Sequence, residues 1–137
     1  MAPVSRKAGF TLIELIVVIA LVAVLAAVVA PNLLGKATEA NRKSALVQLE
    51  KLSSAVELYR LETGRYPEEL IDLVEQPQGL ERWQGPYVRK QSQLLDPWGN
   101  ELVMKVPGEN GPFDIVSYGG DGQPGGEGDG ADITQWD

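Results

Sequence analysis

The sequence has 137 residues, of which 44% are hydrophobic and 23% are charged, a composition typical of globular proteins. It contains no cysteine and no histidine, which excludes disulfide bonds, thiolate metal sites, a cysteine nucleophile and the usual histidine general base. The segment after Lys105 carries the whole net charge of -7, because it has seven acidic residues and no basic one. An acidic segment repels phosphate groups, so we expect a cation as a partner and no nucleic acid.

An apolar segment near the N-terminus runs from Phe10 to Ala30 and is followed by Pro31. As a helix it would span roughly 30 Å, about the thickness of the hydrocarbon core of a bilayer. Arg6 and Lys7 precede it, and the positive-inside rule places that side in the cytoplasm. We therefore predict one membrane-spanning helix, with the bulk of the chain on the other side of the membrane.

One carboxylate, Glu14, lies inside this apolar segment. A charged side chain in a membrane helix costs about 2.5–3.5 kcal/mol on insertion scales, which favours a functional role with a partner such as a neighbouring chain's N-terminal amine. The alternative is a side chain that reaches the lipid headgroups. The apolar run is longer than that of a secretory signal peptide, which disfavours cleavage at Ala26, Ala27 or Ala30.

Residues 7–15 read Lys-Ala-Gly-Phe-Thr-Leu-Ile-Glu-Leu and lead directly into the apolar run. This pattern resembles the type III signal of type IV pilins and of the pseudopilins of type II secretion systems. The resemblance implies cleavage after Gly9 by a prepilin peptidase and N-methylation of Phe10. It also implies that Glu14 pairs with the amino group of an adjacent subunit's first residue. Pro31 matches the family position where the assembled helix loosens, since a proline removes one backbone hydrogen bond.

Residues 32–62 have the periodicity of an amphipathic helix. Apolar side chains recur at steps of three and four, at Leu46, Leu49, Leu52, Val56 and Tyr59. We predict that this face packs on the core of a small domain, while the alanine-rich first half is available for packing between subunits. Gly64 is predicted to cap the helix, and Pro67 is predicted to open a short helix that continues through Val74.

Two strands are predicted in the C-terminal half, at Glu101–Val106 and Phe113–Tyr118, and the loop between them makes an antiparallel hairpin. The segment Asp96–Asn100, which we call the tryptophan turn, reads Asp-Pro-Trp-Gly-Asn. Together with the Gly-Arg-Tyr-Pro run that begins at Gly64, it resembles the major pseudopilins of type II systems. Type IV pilins usually carry a C-terminal cysteine pair, and this chain has no cysteine.

The segment 117–133, which we call the acidic loop, is rich in glycine and in acidic residues. Seven of the twelve residues from Gly119 to Gly130 are glycine, whose backbone entropy opposes an ordered structure. A hard divalent cation would order the loop by collecting the oxygens of its acidic residues, Asp121, Glu127, Asp129 and Asp132. Calcium suits such a flexible, oxygen-rich loop better than magnesium does. The alternative is a solvated acidic segment that binds no metal.

The spacing of the acidic loop partly matches an EF-hand, but acids are missing at two ligand positions and no flanking helices are predicted, so we reject that motif. The resemblance to the major pseudopilins instead implies one structural calcium ion. Carried over by position, the implied ligands are the side chains of Asp121 and Asp132 and the backbone carbonyls of Tyr118 and Gln123. Glu127 and Asp129 are left as alternatives for a further ligand.

The sequence therefore predicts an α+β, type IV pilin-like fold. A leader of residues 1–9 precedes a transmembrane and assembly helix of residues 10–31 and a periplasmic domain of residues 32–137. The resemblance implies a major structural subunit of a homo-oligomeric helical pseudopilus, anchored in the inner membrane, whose growth drives folded proteins through an outer-membrane secretin. The implied partners are minor pseudopilins, the inner-membrane assembly platform and the prepilin peptidase.

Three other interpretations compete with this one. A free calcium-binding module is disfavoured, because it would not need Glu14 inside a membrane segment. A type IV pilin or a minor pseudopilin is the alternative among filament proteins. A membrane-anchored carboxylate enzyme is disfavoured, because a glycine-rich acidic loop offers neither a rigid pair of carboxylates nor a dry pocket. The chain also lacks the Gly-Lys-Ser/Thr ending of a nucleotide-binding loop.

Overall fold

The computed structural model describes residues 1–3 and 8–137. The chain divides into two compact units, Met1–Ala37 and Thr38–Asp137. One α-helix, α1, is found in the described residues; it runs from Leu12 to Thr63 and so contributes to both units.

The part of α1 in the first unit is apolar and exposed. It contains an 18-residue window of mean hydropathy 3.2, none of which is buried. By length and composition this helix can cross a membrane. Pro31 lies inside the helix and not at its end.

The part of α1 in the second unit buries one face in the core. The predicted apolar stripe is confirmed, because Leu49, Leu52, Val56 and Tyr59 are all buried and Leu46 is partly buried against the same cluster. Ala45 of the helix also belongs to the core, and the other core residues follow the helix: Leu70, Leu73, Val88, Leu94, Leu102, Phe113, Ile115 and Ile133. The second unit therefore contains a small core of its own, closed on one side by the helix.

The helix ends where the sequence predicts. Thr63 is the last helical residue, and its hydroxyl donates to the Tyr59 carbonyl at 2.7 Å. Gly64 has a φ of +83°, and its N–H donates to the Arg60 carbonyl at 2.8 Å. A left-handed glycine after the last turn satisfies one of the free carbonyls and turns the chain back over the core.

Two short 3₁₀ helices, Leu70–Leu73 and Gln91–Leu94, lie between α1 and the first strand of the sheet. The first replaces the predicted helix from Pro67 to Val74 with a shorter, tighter one. The Leu73 carbonyl accepts the N–H groups of Tyr87 and Val88, at 2.8 and 3.0 Å. The loop that contains Tyr87 and Val88 therefore occupies the Leu73 carbonyl, which in a longer helix would accept an N–H group of the next turn.

Three antiparallel strands form one sheet, in the order β1 (Val103–Lys105), β2 (Asp114–Ser117), β3 (Ile133–Thr134). The predicted hairpin is confirmed in β1 and β2, where Val103 faces Val116. The third strand was not predicted. All four residues of β2 are buried, because this strand is paired on both sides.

The residues after β3 fasten this end of the sheet to β2. The Gln135 side chain accepts the Ile115 N–H at 2.6 Å and donates to the Phe113 carbonyl at 2.9 Å, so its amide continues the pairing where β3 stops. The Trp136 indole N–H donates to Asp114 Oδ1 at 2.6 Å. The other oxygen of Asp114 accepts the backbone N–H groups of Glu109 and Asn110.

Asp114 is buried, and the effect of burial alone would be to raise the pKa of its carboxyl group. The hydrogen bonds from Trp136 and from the backbone of Glu109 and Asn110 outweigh that effect, so the pKa of Asp114 lies below its ordinary value. A carboxylate with a lowered folded-state pKa stabilises the fold above its unfolded-state pKa and loses this contribution as the pH falls through the folded-state value.

Asp114→Asn is therefore expected to lower the free energy of unfolding at pH 7, with a difference from the wild type that shrinks as the pH falls below about 4. The measurement is urea unfolding of both proteins between pH 7 and pH 2, with Glu81→Gln as an exposed control. A difference that stays constant over this range would mean that the Asp114 charge is not involved.

Candidate functional site

The first candidate site is the start of α1. Gly9 and Phe10, the predicted cleavage position, are exposed and precede the first helical residue. Arg6 and Lys7, which carry the predicted charge of the leader, lie outside the described residues. The predicted processing position is thus placed in an accessible stretch immediately before the helix.

Glu14 caps the helix in which it lies. Its Oε2 accepts the Thr11 N–H at 3.0 Å, and the Glu14 N–H donates to the Thr11 hydroxyl at 3.2 Å. This reciprocal pair is a capping box, and the Thr-x-x-Glu spacing of residues 11–14 is its signature in the sequence. The partner predicted for Glu14 is on another chain, whereas the spacing of Thr11 and Glu14 also indicates this local contact. In the single chain the carboxylate is hydrogen-bonded at the N-terminal end of the helix, where the helix dipole favours a negative charge.

The second candidate site is the acidic loop, which connects β2 to β3. A 3₁₀ helix, Gly119–Asp121, begins the loop directly after Tyr118. Asp121 Oδ1 accepts the Gln123 N–H at 3.0 Å. The carboxylate of Asp121 therefore lies over the turn of residues 121–123. The two residues predicted to bind the metal through their backbone carbonyls, Tyr118 and Gln123, are its near neighbours in the sequence.

Asp132 is placed at the other end of the loop. Its Oδ2 accepts the Gly125 N–H at 2.9 Å. Its Oδ1 is buried, and in the part of the chain that the structure describes it has no hydrogen-bond partner. A buried carboxylate oxygen without a partner is unfavourable unless a cation or a water molecule occupies the space beside it.

Two glycines bring the loop backbone close to Asp121. A Cβ atom at Gly126 would lie 3.0 Å from Asp121 Oδ2, and one at Gly130 would lie 2.7 Å from the same oxygen. Gly126 also has a φ of +93°, a conformation that other residues rarely adopt. Asp121 and Asp132 therefore both lie against the Gly125–Gly126 segment, Asp132 through its hydrogen bond and Asp121 through this close approach.

The other two acidic residues of the loop are placed differently. Glu127 is exposed and precedes the 3₁₀ helix Gly128–Gly130. Asp129 is exposed, and its Oδ1 accepts the indole N–H of Trp98 at 3.0 Å. This contact joins residues 31 positions apart in the sequence and was not predicted.

The donor set of the loop suits calcium. Among the residues that the structure describes, no three acidic side chains converge as a ready-made metal cluster. A site with two carboxylates therefore needs backbone carbonyls for its remaining ligands, and calcium accepts six to eight oxygens of mixed type in flexible geometry. The unpartnered Oδ1 of Asp132 and the glycine backbone around Asp121 fit such an ion. Strands flank the loop on both sides, in agreement with the rejection of an EF-hand.

Comparisons with known proteins identify the fold and the family. Residues 32–136 match the sequence profile described as type II secretion system protein G, and residues 4–30 match the prokaryotic N-terminal methylation motif. The chain belongs to the type II secretion system protein G family. This assignment favours the major pseudopilin over the alternative of a type IV pilin or a minor pseudopilin, and it makes the chain a structural subunit and not an enzyme.

Individual relatives cover nearly the whole chain. The type II secretion system core protein G of Xanthomonas campestris is 40% identical over 94% of this chain and 90% of its own length. The protein of the same name from Vibrio cholerae is 36% identical over 99% and 96%. The crystal structure of the major pseudopilin from enterohaemorrhagic Escherichia coli is similar, with a TM-score of 0.65 and 35% identity over 77% of this chain and 91% of that one. The predicted α+β pseudopilin fold is thereby confirmed.

Proposed function

We propose that this chain is the repeating subunit of a pseudopilus, anchored in the inner membrane with its C-terminal domain in the periplasm. The observation that carries the proposal is the exposed apolar part of α1, which has none of its most hydrophobic window buried. Such a surface needs lipid around it before assembly and the helices of other subunits after it. Membership of a family of secretion-system subunits supports the same conclusion.

The start of the helix supports processing and assembly. We propose that the prepilin peptidase cleaves after Gly9 and that Phe10 becomes the methylated N-terminus, as the match to the methylation motif supports. In the filament, Glu14 pairs with the amino group of a neighbouring subunit's Phe10, because two charges within apolar surroundings offset each other when they are paired. The loosening of the assembled helix is proposed to occur at Pro31, which has no N–H to donate within α1. The minor pseudopilins and the inner-membrane assembly platform complete the set of partners.

Comparison of Glu14→Ala with Glu14→Gln distinguishes the capping role of Glu14 from the pairing of its charge with a neighbouring subunit. Glutamine can form a capping box but carries no charge, so Glu14→Gln keeps the local contact with Thr11 and loses the pairing between subunits. Both variants are expected to enter the membrane and to form at least about tenfold fewer filaments than the wild type, because each subunit contact loses the attraction between the two charges. The measurement counts sheared filaments against membrane-bound subunit. Wild-type filament yield from Glu14→Gln would contradict the pairing of charges.

We also propose that the acidic loop binds one calcium ion. The side chains of Asp121 and Asp132 and the backbone carbonyls of Tyr118 and Gln123 would hold it. The exposed side chain of Glu127 remains available to the same ion. When bound, calcium supplies a charge that gathers oxygens from both ends of the loop, and the buried Oδ1 of Asp132 supports this assignment. Thermal unfolding with calcium, with magnesium and with a chelator tests the proposal.

A further inference from the structure

The tryptophan turn is held rigid by its own hydrogen bonds. The Asp96 N–H donates to the Asn100 carbonyl at 2.7 Å, and the Gly99 N–H donates to the Asp96 carbonyl at 2.9 Å. Asp96 Oδ1 also accepts the N–H groups of Trp98 and Asn100, at 3.0 and 2.8 Å. Asp96 is 5% exposed, so this carboxylate is a fixed element of the second unit.

The turn contacts the start of the acidic loop at two points. The Ser117 hydroxyl donates to Asp96 Oδ2 at 2.7 Å and accepts the Gly119 N–H at 3.2 Å. The Asn100 side chain donates to the Gly119 carbonyl at 2.8 Å. The N–H and the carbonyl of Gly119 therefore both form hydrogen bonds in this network. Gly119 lies two residues before Asp121, the first residue of the loop predicted to bind the metal through its side chain.

The turn contacts the loop at a third point, in residues 127–131, which we call the far arm. There the Trp98 indole N–H donates to Asp129 Oδ1. The far arm also lies close to the start of the loop, because a Cβ atom at Gly119 would lie 2.8 Å from the Asp129 carbonyl oxygen. A loop with this much glycine loses a large conformational entropy when it becomes ordered. Contacts that hold the start and the far arm of the loop before the metal binds lower the conformational entropy that is lost on binding.

We propose that the tryptophan turn positions the acidic loop for its metal, with Trp98 and Asn100 as positioning residues. Asp129 is the acceptor that attaches the far arm to Trp98 and is not a metal ligand. This inference rests on the calcium site proposed above and assigns its remaining acidic residue a different role. It predicts that Trp98, which supplies no ligand atom, changes the affinity for calcium.

A double-mutant cycle on the full chain in detergent micelles tests the proposal. Trp98→Phe keeps an aromatic ring and removes the indole donor, while Asp129→Ala removes the acceptor. Calcium titrations by calorimetry are expected to give a Kd weakened roughly three- to tenfold by either change and no further by both, because both break the same contact. Asp129 would be a ligand, and the proposal overturned, if Asp129→Ala weakened binding tenfold or more in the Trp98→Phe background.

Hydrogen exchange in the presence of a chelator separates this inference from the calcium proposal. Trp98→Phe is expected to speed exchange at residues 127–131 several-fold and to leave the amides of β2 unchanged. Trp83→Phe is the matched control, because its indole N–H donates to the Asp72 carbonyl and contacts neither the acidic loop nor β2. Absence of calcium binding by the wild type would refute the proposed metal site, and equal exchange in the wild type and Trp98→Phe would refute the positioning role.

Discussion

Removal of calcium is expected to lower the melting temperature of the full chain by about 10–20 °C. A ligand that binds only the native state adds RT ln(1 + [Ca]/Kd) to the free energy of unfolding, about 2.7 kcal/mol at a hundredfold excess over Kd. In a unit of this size each kcal/mol moves the melting temperature by about 4–8 °C. Magnesium is expected to produce little of this shift, because it demands a regular octahedron of ligands that a mixed carbonyl and carboxylate loop does not provide.

Asp121→Ala and Asp132→Ala are expected to abolish the calcium-dependent part of the shift. Glu75→Ala is the matched control, since it removes one exposed negative charge outside the loop. The measurement is thermal unfolding in detergent micelles, with calcium, magnesium or chelator added to each variant. A full calcium shift in both loop variants would show that the ligands lie elsewhere, and identical melting of the wild type with calcium and with chelator would show that the loop binds none.

Leu49→Ala is expected to destabilise the second unit by about 2–5 kcal/mol, enough to lower its melting temperature by 10 °C or more. Leu49 lies at the centre of the buried stripe of α1 and is 0% exposed. Truncation to alanine removes the burial of the isobutyl group and leaves a cavity that the small core cannot fully close. Thermal unfolding at fixed calcium concentration measures the effect.

Leu61→Ala is the matched control for this prediction. Leu61 is on the same helix and makes the same chemical change on truncation, but it is 76% exposed. Its truncation is expected to change the free energy of unfolding by no more than about 0.5 kcal/mol. Equal losses at the two positions would mean that the helix is stabilised by its own propensity and not by the face that it buries.

The long helix α1 and the hairpin could be predicted because each is encoded locally. The stripe that includes Leu49 and Val56 repeats at the helical period, and Gly64 marks the end of the helix. The hairpin has a loop with proline and glycine between two apolar runs. Such signals need no knowledge of distant contacts, so a single sequence is enough to read them.

The third strand, and the short length of the helix predicted from Pro67 to Val74, could not be predicted in this way. β3 has two residues, too few for an alternating pattern, and it exists because β2 offers a free edge. The helix at Leu70–Leu73 is short because the amides of Tyr87 and Val88 take the Leu73 carbonyl. Both outcomes depend on contacts between segments that are far apart in the chain.

In the acidic loop, too, some features could be predicted from the local sequence and others depend on distant contacts. Its glycine and acid content indicated a cation, and the resemblance to pseudopilins selected Asp121 and Asp132 among the acids. Nothing in the local sequence distinguishes Asp129 from these two. The indole of Trp98, 31 residues earlier, gives it a separate hydrogen-bond partner, and this partnership exists only in the folded chain.

The place of β3 in the sheet determines the order in which the chain can mature. β3 follows β1 and β2 in the chain, yet it pairs with the middle strand, so this sheet is complete only after residues 133–134 have been synthesised. The apolar part of α1 emerges first and can enter the membrane long before that. The second unit therefore completes its sheet only after α1 has been synthesised, and until then β2 keeps one unpaired edge.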